Sequence, residues 1–292
     1  MRPTIILLAT MALALVLVGG VATGQQQQQS TSSAQASTAT DKSSSDVTIQ
    51  SSTQKAAFTN GSGANFLGVK VTDHGNLLSF ESPAGNEAAI GNGIAREGYS
   101  LCSLDGNTVH GYDQGNVELG FGTPTFAQPN GAGTFPLTVT RNTTDGKLQL
   151  KQVWAKPDAI EKDVTVTMTV KNISSSTING VRLGRGGDFD IGNSTFDRGA
   201  LTDDSAFQWD DRISGPDTTN SFGMQLTALT FATPHGPDID SRAQWSDRGQ
   251  RCDDFTQVTP VTDSDLAMRV FYGLGNLTAG QSKSVKFEYG RF

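Results

Sequence analysis

Histidine and cysteine, the side chains that bind transition metals most readily, are scarce in this chain, which has 3 histidines and 2 cysteines among 292 residues. No two of His74, His110 and His235 share the spacing of zinc ligands. The sequence also lacks the G-x-S-x-G motif of α/β-type serine hydrolases and any glycine-rich phosphate loop. It therefore gives no support to zinc, nucleophilic-serine or phosphate-loop chemistry.

The two cysteines, Cys102 and Cys252, both fall in the part of the chain that we expect to fold. An even number of cysteines in an exported chain favours one disulfide, here Cys102–Cys252, and the alternative is two buried thiols. Closing so long a loop would stabilise the fold by roughly 4–5 kcal/mol in the chain-entropy account.

Only one long apolar run occurs, and it follows Arg2 and extends from Ile5 to about Ala22. This order is typical of a secretory signal peptide cleaved after Ala22 or Gly24, and the alternative is an uncleaved N-terminal anchor. Residues 1–24 are thus predicted to direct the protein to a secreted, extracellular or periplasmic location, with no other membrane contact.

The segment 25–55 consists mainly of Gln, Ser, Thr and Ala. Because it has too little apolar surface to offset the entropy of ordering, it is predicted to be a disordered tether. The folded domain is predicted to span residues 56–292.

Positive charge is in deficit, and the net charge is −7. This disfavours nucleic acid and anionic membranes as partners, because both select basic surfaces. Residues 185–217 contain eight aspartates and three arginines, so most of the excess negative charge lies in this segment.

Period-two alternation dominates what remains of the chain. In the run DVTVTMTV, Val164, Val166, Met168 and Val170 fall on one face and threonines on the other. Similar runs are bounded by Gly, Asn, Asp or Pro, as half-buried antiparallel strands are. The pattern predicts an all-β fold, a large antiparallel β-sandwich of enlarged immunoglobulin-like or super-sandwich type, or two fused sandwiches. The segment 186–221 is predicted to be a long acidic connection with little strand structure.

Two segments resemble immunoglobulin-like modules of secreted bacterial proteins. Lys171-Asn172 ends one strand and leads through Ser174–Thr177 into the next, and Leu277 with Gly280-Gln281-Ser282 forms the turn into the last strand. The resemblance covers about 40 residues and implies adhesion, display or scaffolding. About 90 residues separate its two halves, which suggests an enlarged sandwich.

The stretch GGDFDIGNSTFD carries the residues predicted to bind a metal, namely Asp188, Asp190, Asn193 and Asp197. Closely spaced Asp and Asn oxygens suit calcium, although the EF-hand order is not met. The alternative is that these side chains accept backbone hydrogen bonds in a turn.

Two arginines lie on the strand before this stretch. Alternation places Arg185 on the same face as Val181 and Leu183 and Arg182 on the other. One of the two arginines is predicted to pair with Asp188 or Asp190, because a charge near a core is retained when it is paired.

A ligand site is predicted from Trp209, Asp210, Asp211 and His235. An indole beside carboxylates can hold a sugar ring by stacking and hydrogen bonding, and a core anchor is the alternative role of Trp209. His235 is the best candidate for a general base, and a surface residue is the alternative.

Two function classes follow. The first, which the sequence favours, is a secreted or cell-surface protein with a non-catalytic binding, display or structural role and a carbohydrate or surface-protein partner. The second is a carbohydrate-active enzyme, a glycoside hydrolase or polysaccharide lyase, on an enlarged sandwich. Hydrolysis would need paired carboxylates, and lyase chemistry would need a base near a cation or metal.

Overall fold

The computed structural model describes residues 53–89, 97–105, 108–113, 117–191, 197–201, 205–210, 223–240 and 267–291. Within these ranges the chain is mostly β-strand, and the helical element there is a 3-10 turn at Gly63–Asn65. The prediction of an all-β fold is confirmed. The signal segment 1–24 and nearly all of the predicted tether lie outside the described residues, and none of the described helical structure has the length and apolar character needed to cross a membrane.

The described residues form nineteen strands. The first ten are β1 Gln54–Asn60, β2 Leu67–Thr72, β3 Leu77–Glu81, β4 Glu87–Ala89, β5 Gly98–Ser103, β6 Thr108–Asp113, β7 Val117–Leu119, β8 Thr125–Ala127, β9 Leu137–Asn142 and β10 Leu148–Trp154. The remaining nine are β11 Asp163–Asn172, β12 Ile178–Asp188, β13 Asp190–Ile191, β14 Asp197–Leu201, β15 Ser205–Asp210, β16 Gly223–Ala228, β17 His235–Asp240, β18 Ala267–Leu277 and β19 Ser282–Arg291.

These strands pair antiparallel into three sheets. The five-stranded sheet has the order β1-β2-β3-β4-β13, and the eight-stranded sheet has the order β14-β15-β16-β19-β11-β10-β9-β8. The six-stranded sheet has the order β17-β18-β12-β5-β6-β7. The site analysed below lies on this third sheet.

The burial of side chains along β11 follows the alternation of apolar and polar residues in its sequence. Its buried side chains are Val164, Val166, Met168 and Val170, and the threonines between them are half-buried. Val69 of the five-stranded sheet and Leu183 of the six-stranded sheet belong to the same hydrophobic cluster as Met168. The described strands therefore share one core, and the alternative of two fused sandwiches is not needed.

The six-stranded and eight-stranded sheets pack face to face. Tyr272 of β18 meets Phe287 of β19 edge to face, with ring centroids 5.0 Å apart. The Tyr272 hydroxyl donates to the carbonyl of Lys286 at 2.8 Å. Aromatic packing and hydrogen bonding thus join β18 to β19 across the core.

The prediction that segment 186–221 has little strand structure is wrong in part. β12 continues to Asp188, and β13, β14 and β15 fall inside this segment. The runs DRGAL and SAFQWD in β14 and β15 are too short and polar for a strong period-two signal, and pairing with neighbouring strands decides their structure.

The residues that carry the immunoglobulin-like resemblance meet at one place. The Asn172 side chain is buried, and its Nδ2 donates to the carbonyls of Ser176 and Leu277 at 2.7 and 2.8 Å. Its Oδ1 accepts from the backbone N–H of Ser174 at 2.9 Å, and its backbone N–H donates to the carbonyl of Gln281. One amide therefore ties the end of β11 to the loop before β12 and to the turn between β18 and β19.

We expect Asn172→Ala to lower the free energy of unfolding by about 2–3 kcal/mol, because it leaves buried backbone groups without partners. Urea denaturation followed by circular dichroism would measure the change. Asn142→Ala is the matched control, since Asn142 is exposed and accepts one bond from Gln149, and it should cost less than about 0.5 kcal/mol. Equal losses in the two variants would contradict this role for Asn172.

Candidate functional site

The middle of the six-stranded sheet holds a charge inside the core. Arg185 of β12 is fully buried, and its Nη2 lies 2.8 Å from Oε1 of Glu97, which is also fully buried. Glu97 directly precedes β5, the strand that pairs with β12. Two opposite charges removed from water in this way stabilise a fold only when the remaining polar atoms are also satisfied.

Both charged groups have further partners. Arg185 Nε donates to the Tyr289 hydroxyl at 2.9 Å, and its Nη1 donates to Oε1 of Gln152 at 2.7 Å. Glu97 accepts from the Tyr289 hydroxyl at 2.5 Å and from the Leu77 N–H at 2.6 Å. Tyr289 and Gln152 have no exposed surface, so this network is closed to solutes and its role is to position β12.

A turn of the five-stranded sheet joins the same network. The carbonyl of Gly75, in the turn between β2 and β3, accepts from Arg185 Nη2 at 3.0 Å and from the Trp154 indole N–H at 3.2 Å. The Arg185 guanidinium also lies over the Trp154 ring, 4.5 Å from its centroid. Arg185 therefore contacts groups from all three sheets.

The predicted arginine–aspartate pair stays a prediction. The predicted faces of Arg182 and Arg185 agree with their half-buried and buried environments, and Arg185 pairs with Glu97. The side chains of Asp188 and Asp190 lie outside the described residues, so a pair with Arg182 is not tested. Glu97 lies far from β12 in sequence and in no recognisable motif, so only the pairing of β5 with β12 brings the two together.

The opposite face of β12 is rich in glycine. A Cβ on Gly184 would meet the Phe271 ring at 2.4 Å, and one on Gly186 would meet the Arg269 side chain at 2.6 Å. Phe271 and Arg269 of β18 therefore lie directly on the β12 backbone, and the guanidinium of Arg269 is 5.3 Å from the Phe271 ring centroid.

A cleft of about 500 Å³ lies at the Arg182 end of this sheet. Its lining includes Leu104, Gly180, Arg182, Pro234, His235 and Gly273. Arg182 pairs in register with Gly273 of β18, and the Gly273 N–H donates to the Pro234 carbonyl at 2.7 Å. Because β18 lies between β12 and β17, the backbones that carry Arg182 and His235 are separated by about 10 Å.

His235 is half-buried and held in one orientation. Its Nδ1 is 2.7 Å from the carbonyl oxygen of Thr233. Because a carbonyl oxygen only accepts, Nδ1 carries the hydrogen, and the basic lone pair of the neutral ring is on Nε2. The ring also packs against Tyr272 and Phe231, with centroids 5.5 and 6.2 Å away. A neutral imidazole held in this way can act as a base through Nε2.

The predicted metal ligands are distributed over three sheets. Asp188 ends β12 in the six-stranded sheet, Asp190 begins β13 in the five-stranded sheet, and Asp197 begins β14 in the eight-stranded sheet. Asn193 lies outside the described residues, as do the side chains of the three aspartates. Among the described residues, no group of three or more His, Cys, Asp or Glu is arranged to hold a metal ion. Calcium binding by these four residues stays a prediction.

The predicted ligand residues fall on neighbouring strands. Trp209 and Asp210 end β15, where the register sets Asp210 opposite Asp197 of β14, and both strands contact β17. The side chains of Trp209 and Asp210 and all of Asp211 lie outside the described residues, so of this set only His235 is placed in the cleft.

The strand register separates the cleft from the Asp188 end of β12. His235 aligns through Tyr272 with Leu183, whereas Asp188 aligns with Ala267 and Asp240. Asp188 follows Leu183 by five residues along β12, which corresponds to about 17 Å along the strand. A catalytic centre that used Asp188 together with His235 would have to bridge this distance.

Cys102 is buried on β5, opposite Arg182 in the register. Cys252 lies outside the described residues, and the Cys102–Cys252 disulfide stays a prediction.

No family model and no curated protein matches the chain. Among solved structures it is similar to a bacterial glucoamylase complexed with acarbose, with 8% identity and a TM-score of 0.49 over 83% of this chain and 34% of the other. A protein from Escherichia coli K12 that carries the name aldose 1-epimerase has 13% identity and a TM-score of 0.45, over 82% and 99% of the two chains. A polysaccharide lyase has 11% identity and a TM-score of 0.37, over 83% and 33%.

The chain thus spans about a third of the length of the glucoamylase and of the lyase. At these identities and TM-scores no residue role is transferred to this chain. All three neighbours are carbohydrate-active by name, which contradicts the prediction of a non-catalytic binding, display or structural role. No contiguous motif contains both Arg182 and His235, because the cleft takes them from strands far apart in the chain.

The Glu97 carboxyl should make stability depend on pH. Its burial raises its pKa from 4.5 to about 7, although Arg185, Tyr289 and the Leu77 N–H lower it. The stabilising contribution of the protonated group is therefore complete below about pH 4.5 and is lost as the pH rises through about 7, a change of about 3 kcal/mol.

Urea unfolding of the wild type and of Glu97→Gln between pH 4 and 8 would test this prediction. We expect the wild type to lose stability over this range relative to the variant, in which the group does not titrate. Parallel pH profiles for the two proteins would contradict the prediction.

Proposed function

We propose that the protein is a carbohydrate-active enzyme whose active centre is the cleft between β12 and β17. The observation that carries the proposal is that one cleft is lined by His235, whose basic nitrogen is Nε2, and by Arg182. A histidine base and an arginine cation are groups that suit a reaction in which a proton leaves and negative charge develops on oxygen.

The cleft has the size and composition of a small-ligand site. Its volume of about 500 Å³ lies within the range found for ligand pockets, which is roughly 300–1,000 Å³. Leu104 and Pro234 give it apolar walls, and Arg182 and His235 provide polar groups for hydroxyl recognition. This mixture suits a saccharide, whose rings have apolar C–H faces and a polar rim.

The chemistry proposed for the cleft follows from its described side chains. His235 accepts the proton of a sugar hydroxyl, of a carbon-bound hydrogen or of an attacking water, and Arg182 hydrogen-bonds to the oxygen that gains negative charge. The described lining contains no carboxylate, so the base-and-cation route fits these residues better than hydrolysis by paired carboxylates.

The net charge of −7 favours a neutral saccharide, because the protein repels polyanions at long range. Export remains part of the proposal on the strength of the apolar N-terminal segment, and it would bring the enzyme to polysaccharides outside the cell.

The test is a panel of neutral and acidic glycans incubated with the full chain. Reducing ends, optical rotation and the ultraviolet absorbance of unsaturated products would detect hydrolysis, anomeric conversion and elimination, respectively. We expect turnover of at least one neutral glycan and a loss of roughly 10²–10⁴-fold in kcat for His235→Gln.

Arg182→Gln should lower kcat by roughly 10²-fold through loss of charge stabilisation. Lys151→Gln is the control, because Lys151 is exposed on the eight-stranded sheet and does not line the cleft. Wild-type kcat in both His235→Gln and Arg182→Gln, with the folds intact, would contradict the proposal.

A further inference from the structure

Gly273, which lines the cleft, is a glycine that the packing of the described residues does not require. It is half-buried inside β18, and among the described residues a Cβ built on it would meet Pro234 alone, at 3.7 Å. That distance is an ordinary van der Waals contact, and the φ of Gly273 is not positive. Glycine inside a strand lowers stability, and it often marks a place where a ligand approaches the backbone.

Neighbouring glycines of β12 and β18 are explained by packing or by backbone conformation. A Cβ on Gly184 or on Gly186 would meet atoms of β18 at 2.4 Å, so neither position has room for a side chain. Gly275 has a φ of +68°, which a residue with a side chain adopts only with strain. Gly273 differs from these three because both its backbone conformation and the space around it would accept a side chain.

The side chain that Gly273 lacks would point into the cleft. Gly273 pairs in register with Arg182, and residues paired across antiparallel strands direct their side chains to the same face of the sheet. In the strand order, β18 lies between β17, which Pro234 precedes, and β5, which Leu104 follows. A side chain at position 273 would therefore fill space between two apolar residues that line the cleft.

Leu104 is an apolar wall with a fixed position. It is 53% exposed, and its side chain lies over Gly180, where a Cβ would meet its Cδ1 at 2.4 Å. Its N–H donates to the Asn179 carbonyl at 3.1 Å, and the Asp105 carboxylate accepts from the N–H and Nδ2 of Asn179 at 2.6 and 3.0 Å. Because these bonds hold the wall, contact with a ligand costs little conformational entropy.

We propose, on the basis of the proposed function, that Gly273 is a specificity-determining residue, whose bare backbone admits one ring of a neutral saccharide between Leu104 and Pro234. The C–H groups of such a ring pack against leucine and proline, and its hydroxyls remain at the rim for polar groups and water. A side chain at position 273 would occupy the space of the ring. Gly273 thus controls the size of the group that the cleft accepts and takes no part in the chemistry.

The first experiment fills this space with Gly273→Ala and Gly273→Val. With glucose, galactose, maltotriose and cellotriose as probes, we expect KM for the sugar that is turned over to rise about threefold to tenfold in the alanine variant. In the valine variant it should rise at least about tenfold, because more of the ring is excluded. We expect kcat at saturation to stay within about threefold of wild type in both.

The same substitutions should not destabilise the fold. Alanine restricts the unfolded chain more than glycine does, and valine suits a strand, so the melting temperature should be unchanged or higher by about 1–4 °C. A merely structural role for Gly273 would give the opposite pattern, a lower melting temperature with an unchanged KM.

Gly122→Ala is the matched control for Gly273→Ala. Gly122 is also half-buried and has no positive φ, its nearest described contact would be at 3.4 Å, and it does not line the cleft. We expect this variant to keep the wild-type KM and kcat.

Leu104→Ala tests the wall by removing a contact instead of adding bulk. We expect KM to rise about threefold to tenfold, since one apolar contact with the ring is lost, and kcat to change little. Ile160→Ala is its control, because Ile160 is 86% exposed and does not line the cleft, and it should change neither constant.

The second experiment measures binding without turnover. Saturation-transfer NMR with the same four sugars should show transfer to at least one of them from the wild type and from Gly122→Ala. The signal should be lost in Gly273→Val.

The outcomes separate the two proposals. If His235→Gln abolishes turnover while Gly273→Val leaves KM unchanged, the role of Gly273 is overturned and the proposed function stands. If no glycan is turned over, but a sugar binds the wild type and not Gly273→Val, the role of Gly273 stands and the proposed catalysis fails. Equal effects of Gly273→Ala and Gly122→Ala on KM, or loss of the fold in Gly273→Ala, overturn the role of Gly273.

Discussion

The buried guanidinium of Arg185 is the constraint on which the site depends. It bonds to Glu97, Tyr289, Gln152 and the Gly75 carbonyl, and these groups belong to different sheets. Removing one partner would leave a charge in the core without compensation, which is strongly destabilising. Because side chains alternate along a strand, holding Arg185 inward also turns Arg182 outward, into the cleft.

Glycines determine which part of the outer face of β12, the face that carries Arg182, is open to a ligand. Gly184 and Gly186 allow Phe271 and Arg269 to lie flat on β12, so the middle of the face is filled. At the Arg182 end, Gly273 leaves room beside Pro234, and the cleft forms there. The same strand therefore combines a core charge, a filled surface and an open pocket within a few residues.

The local alternation of apolar and polar residues predicted the local features of the structure. Alternation identified the strands and the core face of β11, and it assigned Arg182 and Arg185 to opposite sides. His235, the predicted general base, begins strand β17 instead of lying in a loop and is among the residues that line the cleft. Its catalytic role stays a proposal. These inferences needed only the period of a strand and the chemistry of single residues.

The sequence did not predict which residues distant in the chain pair with each other. Glu97 shares no motif with Arg185, and β13, β14 and β15 are too short and polar to be recognised before their partners are known. Arg182 and His235 line one cleft only because β18 brings β12 and β17 into the same sheet.

Hydrogen exchange measured by mass spectrometry, with and without the saccharide that the enzyme turns over fastest, tests the central claim most directly. We predict slower exchange at residues 180–183 and 229–236, on the two sides of the cleft, and little change at the Asp188 end of β12. Protection confined to β13 and β14, or no protection at a saturating saccharide concentration, would contradict the location of the active centre.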